Sequence, residues 1–185
     1  MVRDAGQPDP IRFKLKMTRH FLSKIPSKIP KSTAGHARLE VNSEMFLFFA
    51  ASVVEMLKRK INDEFEIFDK QNVFYIHGLR KSLASSGRQG KTKRLISKYF
   101  TTPRHTTSKT ETENSTLWIL QSLRNQAMHG NIIDIHNDTI LFSYTIREGK
   151  RAYHFQQKSQ NPQKYFGKIF AGLDRFNAEI TSILT

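Results

Sequence analysis

Apolar residues recur at helical spacing in three long stretches of this chain of 185 residues, and each stretch predicts an amphipathic helix. The first helix is predicted to begin at the N-capping run Asn42-Ser43-Glu44. The second is predicted to begin near Asn114 or Ser115 and to end at Gly130, and the third to begin near Pro162. The predicted apolar face of the first helix is formed by Phe46, Phe49, Val53, Leu57, Ile61, Phe65 and Phe68. That of the third is formed by Phe166, Ile169, Phe170, Leu173, Phe176, Ile180 and Leu184.

A period of two replaces the helical spacing between the second and third helices, and such alternation is typical of strands. The predicted strands cover residues 132–135, 139–147 and 151–157. Shorter helices are predicted at about 73–85 and 91–100, with a basic loop over 86–92. The pattern therefore predicts a mainly helical fold with a small sheet inserted before the C-terminal helix.

The N-terminal segment, residues 1–40, differs in composition from the rest of the chain. It contains Pro8, Pro10, Pro26 and Pro30, and nine Lys or Arg residues against three acids. Because proline interrupts helices, we predict an extended basic arm that packs on the domain, on a partner subunit or on RNA. Residues 41–185 are predicted to form one domain, which is long enough to bury a sizeable core.

The net charge of +14 is concentrated in residues 70–110, which contain ten Lys or Arg residues and no acid. Such a segment is either a solvated face or a surface for a polyanion, and the complete lack of acids favours nucleic acid. The candidate contacts are Arg80, Lys81, Arg88, Lys91, Lys93, Arg94, Lys98 and Arg104.

Three kinds of site are not expected from this composition. The chain has no cysteine, which excludes disulfides and thiolate chemistry, and its seven histidines do not cluster as metal ligands do. No apolar run approaches the roughly 18 residues of a membrane span. We therefore expect a cytoplasmic protein that has no metal, no cofactor and no membrane contact.

The segment Leu123 to Gly130 contains an arginine followed by asparagine and, five positions after the arginine, a histidine: Arg124, Asn125 and His129. This arginine-to-histidine spacing occurs once in the chain. At about 100° per residue, one face of the predicted helix should be buried, and Arg124 should lie at its edge. The buried face comprises Ile119, Leu120, Leu123 and Ala127, and the opposite side comprises Trp118, Ser122, Asn125 and His129.

These residue types suit cleavage of RNA, which supplies its own nucleophile, the 2′-OH. Histidine can accept or donate a proton near neutral pH, and arginine can bind two phosphate oxygens. His129 and Arg124 are thus candidate catalytic residues, with Asn125 orienting the imidazole or contacting the phosphate. Glu55 either forms an ion pair with Arg124 or is exposed, and Ser122 and Trp118 are further candidates for support of the site. The competing interpretation is that Arg124 and His129 are only a surface cation and a helix C-cap.

The motif resembles the signature of the HEPN superfamily, in which Arg is followed by Asn, Asp or His, three free positions and His. The resemblance covers about residues 42–185, although only the motif is specific. It implies an antiparallel helical bundle and a metal-independent endoribonuclease that leaves a 2′,3′-cyclic phosphate, acting as a toxin or defence effector with an antitoxin as an expected partner. It also implies a homodimer with two motifs in one cleft.

Two other functions fit the same sequence. The first is a HEPN module that binds RNA without cutting it. The second is a helical subunit of a defence complex that uses the face containing Trp118 as its interface.

Overall fold

The chain folds into a mainly helical bundle, seen in a computed structural model that describes residues 9–68, 75–100, 116–127, 133–136, 139–148 and 151–185. Six helices lie within these residues: α1 (Pro10–Lys24), α2 (Thr33–Phe65), α3 (Ile76–Ser82), α4 (Gly87–Tyr99), α5 (Thr116–Ala127) and α6 (Pro162–Leu184). The strands within them are β1 (Ile133–His136), β2 (Thr139–Glu148) and β3 (Arg151–Ser159).

Helix α1 lies where an extended arm was expected, so that prediction is wrong. Asp9 caps the helix by accepting a hydrogen bond from the backbone N–H of Ile11 at 3.0 Å. Pro10 occupies the first turn, where its missing N–H removes no helical hydrogen bond. The helix packs along α2 and buries Thr18 completely. The N-terminal segment therefore packs on the domain, which is one of the three alternatives given for it.

Helix α2 begins at Thr33, nine residues before the predicted start, and runs without a break through residues 40 and 41. Ser32 caps it by accepting a hydrogen bond from the N–H of Gly35 at 3.1 Å. A side chain on Gly35 would collide with Pro30, so this turn requires glycine. Of the predicted apolar face, Phe46, Val53, Leu57 and Ile61 are fully buried, and Phe49, Phe65 and Phe68 are partly buried.

Helix α6 contributes the opposite side of the core. Asn161 caps it by accepting a hydrogen bond from the N–H of Lys164 at 2.8 Å. Phe166 meets Phe46 of α2, with their ring centroids 5.1 Å apart. The predicted apolar face is confirmed, because Phe166, Ile169, Leu173, Phe176, Ile180 and Leu184 are buried and Phe170 is partly buried.

The basic loop predicted over residues 86–92 is instead the start of α4, so this prediction is also wrong. Ser86 lies at the N-cap position, and Gly87 adopts a positive φ of 60°. Gly90 faces the carbonyl group of Ser85 so closely that a Cβ there would overlap the backbone. Glycine here permits the tight entry into the helix rather than a flexible loop.

The three strands form an antiparallel sheet in the order β1-β2-β3, located between α5 and α6 in the sequence. Ile135 of β1 lies opposite Ile140 of β2, and Tyr144 of β2 lies opposite Phe155 of β3. The β2 backbone packs along α5. Within the described ranges, no helix combines the length and apolarity needed to cross a membrane.

Candidate functional site

Helix α5 carries the first part of the arginine–histidine motif, and its backbone is anchored in the core. Leu117, Leu120 and Leu123 are fully buried between α2 and α6. Ile119 is also buried and Ala127 partly so, which confirms the predicted face. Arg124 therefore directly follows a residue whose position is determined by core packing.

The side chains of Arg124 and Asn125 contact each other at the exposed side of α5. The Nη1 atom of Arg124 donates a hydrogen bond to Oδ1 of Asn125 at 3.2 Å. Arg124 is half-buried and Asn125 is exposed. Asn125 thus orients the guanidinium group, a role that the sequence analysis did not consider. His129 and the predicted helix end at Gly130 lie outside the described residues.

Ser122 and Trp118 were predicted to lie on the exposed side of α5, and both predictions are wrong. Ser122 is buried, and α5 packs against α2, α6 and β2. The Trp118 ring lies 4.7 Å from the ring of His77 in α3 and 6.5 Å from that of Phe100. Its indole N–H is buried and finds no hydrogen-bond partner among the described residues.

Glu55 does not pair with Arg124. Its Oε2 atom lies 2.7 Å from Nζ of Lys58, one turn along α2. The side chain of Lys58 is only 8% exposed, whereas that of Glu55 is 55% exposed. A buried ammonium group needs a polar partner, so Glu55 stabilises Lys58 rather than the motif.

The start of α5 is positioned by a close contact with α6. A Cβ atom on Gly172 of α6 would lie 2.8 Å from Cγ2 of Thr116, the first residue of α5. Around Gly167, on the same helix, no atom lies within 4 Å of such a Cβ. Glycine at position 172 therefore lets the two helices approach, whereas glycine at 167 has no such role.

We expect Gly172→Ala to destabilise the protein and Gly167→Ala to stabilise it, as measured by urea unfolding. Overpacking costs about 1–3 kcal/mol, which exceeds the gain of up to about 1 kcal/mol from removing a helical glycine. Gly167→Ala should show only the gain from replacing a helical glycine, because a Cβ there meets no other atom. Thr116→Ser removes the clashing methyl group and should recover part of the loss. Equal stability of the two alanine variants would show that the α5–α6 contact is not tight.

Three of the eight predicted RNA-binding cations form contacts within the bundle. Arg88 Nη2 lies 2.8 Å from Glu64 Oε1, and its guanidinium donates to the carbonyl oxygens of Ile183 and Leu184 at the end of α6. Lys93 donates to the carbonyl oxygen of Leu83 at 3.0 Å. These side chains join α4 to its neighbours.

Lys98 is the third cation with contacts inside the bundle, and it belongs to a polar cluster between α4 and α6. Its Nζ lies 3.1 Å from both carboxylate oxygens of Glu179, and the Tyr99 hydroxyl donates to Glu179 at 2.6 Å. Partial burial opposes ionisation of Glu179, but the hydrogen bonds from Tyr99 and Lys98 outweigh it and lower its pKa. Burial and the hydrogen bond to Glu179 raise the pKa of Tyr99 to about 12. The cluster therefore holds a carboxylate beside a neutral phenol at neutral pH.

Four of the predicted cations remain available. Lys81, Lys91 and Arg94 are exposed and Arg80 is half-buried, and none of the four forms an ion pair with a described acid. Lys91 and Arg94 are three positions apart on α4, so they share one face. Arg104 lies outside the described residues.

Comparisons of the chain with protein-family models, with curated proteins and with solved structures found no match. Among the residues that the structure describes, no three histidine, aspartate or glutamate side chains are grouped as metal ligands would be.

Proposed function

We propose that this protein is a metal-independent endoribonuclease of the HEPN type. The observation that carries the proposal is the Arg124–Asn125 pair, which lies at the accessible side of a helix whose other face is locked in the core. A guanidinium on this side of the helix can stabilise the charge that builds on a phosphate during cleavage. His129, a few residues further along the chain, is the proton-transfer group of this proposal.

The available cations support RNA as the ligand. Lys81, Lys91 and Arg94 are exposed, and Arg80 is half-buried. These cations of α3 and α4 would attract backbone phosphates of RNA.

In the proposed reaction, the 2′-oxygen bonds to phosphorus as its proton is accepted by a base. The bond from phosphorus to the 5′-oxygen then breaks, and an acid gives that oxygen a proton. The products are a 2′,3′-cyclic phosphate and a 5′-hydroxyl. One motif supplies one histidine for two proton transfers, so we propose a two-fold dimer that brings two motifs together. A toxin or defence effector controlled by an antitoxin is the biological role that the motif suggests.

The proposal is tested by incubating the purified chain with labelled RNA in EDTA. Cleavage should persist, the products should end in a 2′,3′-cyclic phosphate, and RNA with every 2′-OH methylated should stay intact. The Arg124→Ala protein, purified in the same way, controls for contaminating nucleases. Loss of cleavage in EDTA, or cleavage of the methylated RNA, would contradict the mechanism. A monomer by light scattering that still cleaves RNA would contradict the dimer.

The two other functions predict different results in this experiment. A module that only binds RNA would retain the labelled strand intact at every protein concentration. A defence-complex subunit that docks through Trp118 is not favoured, because this side chain is half-buried against His77 and Phe100. Its ring is therefore largely occupied within the chain.

A further inference from the structure

Helix α1, the turn after it and the first residues of α2 carry a second concentration of positive charge. Residues 10–39, all of which the structure describes, contain eight Lys or Arg residues and no Asp or Glu. The three ion pairs between described residues all lie elsewhere in the molecule. None of these eight cations is therefore in an ion pair with a described acid, and the nearest acids in the sequence are Asp9 and Glu40 at the two ends of the segment.

The outward side of α1 combines this charge with an exposed aromatic ring. Arg12 and Lys16, four positions apart, are both exposed, and Phe13 between them is 44% exposed. Phe48 of α2 is 48% exposed. The ammonium group of Lys14, next to Phe13 in the sequence, lies 5.5 Å from the Phe48 ring centroid. Arg12 and Lys16 thus flank one half-exposed ring. Phe48 lies beside Lys14, which is on another side of α1 at about 100° per residue.

This combination fits single-stranded RNA better than a lipid surface. Unpaired bases stack on aromatic rings while the backbone phosphates bind nearby cations. An amphipathic helix that binds a membrane inserts its apolar face. The apolar residues of α1, such as Ile11, Leu15 and Leu22, are packed against the protein core instead, so they cannot be inserted.

Helix α1 also lies apart from the α4 cations along α6. Arg19 of α1 lies over the ring of Phe170, at 5.3 Å from its centroid, whereas α4 is joined to Glu179 and to the end of α6. Nine residues separate these two contacts on α6, or about 14 Å at the helical rise of about 1.5 Å per residue. A strand that binds α1 would thus be held at a place distinct from α4.

We infer that the outward side of α1, with Arg12, Phe13 and Lys16, forms a binding surface for single-stranded RNA. A base stacks on Phe13, and phosphates contact Arg12 and Lys16. The identity of the polyanion rests on the proposed function, but binding to this surface does not require cleavage.

The test measures binding of a short unstructured RNA and of duplex RNA of equal length to the full chain carrying Arg124→Ala. Arg12→Gln/Lys16→Gln should flatten the slope of log K against log salt by about 1.4, since each contact to a single strand contributes about 0.7. Arg59→Gln/Lys60→Gln, which removes the same charge from α2, is the matched control and should leave the slope unchanged.

Stacking is tested separately at Phe13. Phe13→Leu keeps an apolar side chain but no ring, and should weaken single-strand binding by roughly fivefold to 100-fold. Phe13→Trp should retain tight binding, and duplex RNA should bind both variants equally. These results together would support a stacking surface for unpaired bases.

Either of two outcomes would overturn the inference. One is that the α1 variants bind RNA with the affinity and salt dependence of the control. The other is that Arg12→Gln/Lys16→Gln loses binding to phosphatidylserine vesicles but not to RNA, which would assign the surface to membranes. Absence of cleavage by the wild-type chain would defeat the proposed nuclease activity alone, because these binding measurements use a background without Arg124.

Discussion

Alanine at Arg124 or at His129 is expected to lower the rate of RNA cleavage by about 10² or more. Loss of the guanidinium removes the charge that stabilises the developing phosphorane, and loss of the imidazole removes a proton-transfer group. Arg124 lies outside the buried stripe of α5, so its replacement should leave the free energy of unfolding nearly unchanged. Single-turnover cleavage and urea unfolding of each variant separate these two effects.

Substitutions at Asn125 and Arg59 provide the controls. Asn125→Asp keeps an oxygen that can accept the hydrogen bond from Arg124, whereas Asn125→Ala leaves the guanidinium without it. The aspartate variant should therefore retain more activity than the alanine variant. Arg59→Ala removes an exposed arginine of α2 and should have no effect on cleavage. Undiminished cleavage by the Arg124→Ala/His129→Ala double variant would refute the assignment of the site.

The buried faces of the long helices could be read from local spacing. On α6, six of the seven predicted apolar positions are buried, because one continuous side of the helix faces the core. The predicted stripe on α5 is buried for the same reason. Periodicity identifies the side of a helix that faces the core, and it succeeds where the core covers one continuous side.

Contacts that come from several neighbours could not be predicted in this way. Ser122 is buried on a helix that contacts α2, α6 and β2. Trp118 is half-buried because His77 of α3 lies against its ring. The roles of Arg88 and Lys98 depend on Glu64 and Glu179, which are distant in sequence. A charge count cannot distinguish a cation paired across the fold from one that is free.

The prediction of an extended N-terminal arm was wrong for a local reason. Four prolines suggested an extended arm, but the position of each proline within an element matters more than their number. Pro10 follows the capping residue Asp9 and so begins α1. Pro26 and Pro30 lie in the turn between α1 and α2. A capping signal at Asp9-Pro10 was thus present in the sequence.

The two sides of α2 differ most clearly between Phe46 and Phe48, which are two positions apart. Phe46 is fully buried against Phe166, so we expect Phe46→Ala to lower the free energy of unfolding by about 3–5 kcal/mol. Phe48 is half-exposed and its described cation contact is with Lys14, so Phe48→Ala should cost only about 0.5–1 kcal/mol.

Urea unfolding and RNA binding, measured on both variants, separate packing from recognition. Phe48 lies outside the binding surface inferred on α1, so Phe48→Ala should stay folded at 25 °C and bind single-stranded RNA with the wild-type affinity. Phe46→Ala, studied in low denaturant where it remains folded, should keep the RNA affinity because its ring is inaccessible. If Phe46→Ala and Phe48→Ala lowered the free energy of unfolding equally, the Phe48 ring would be as tightly packed in solution as that of Phe46.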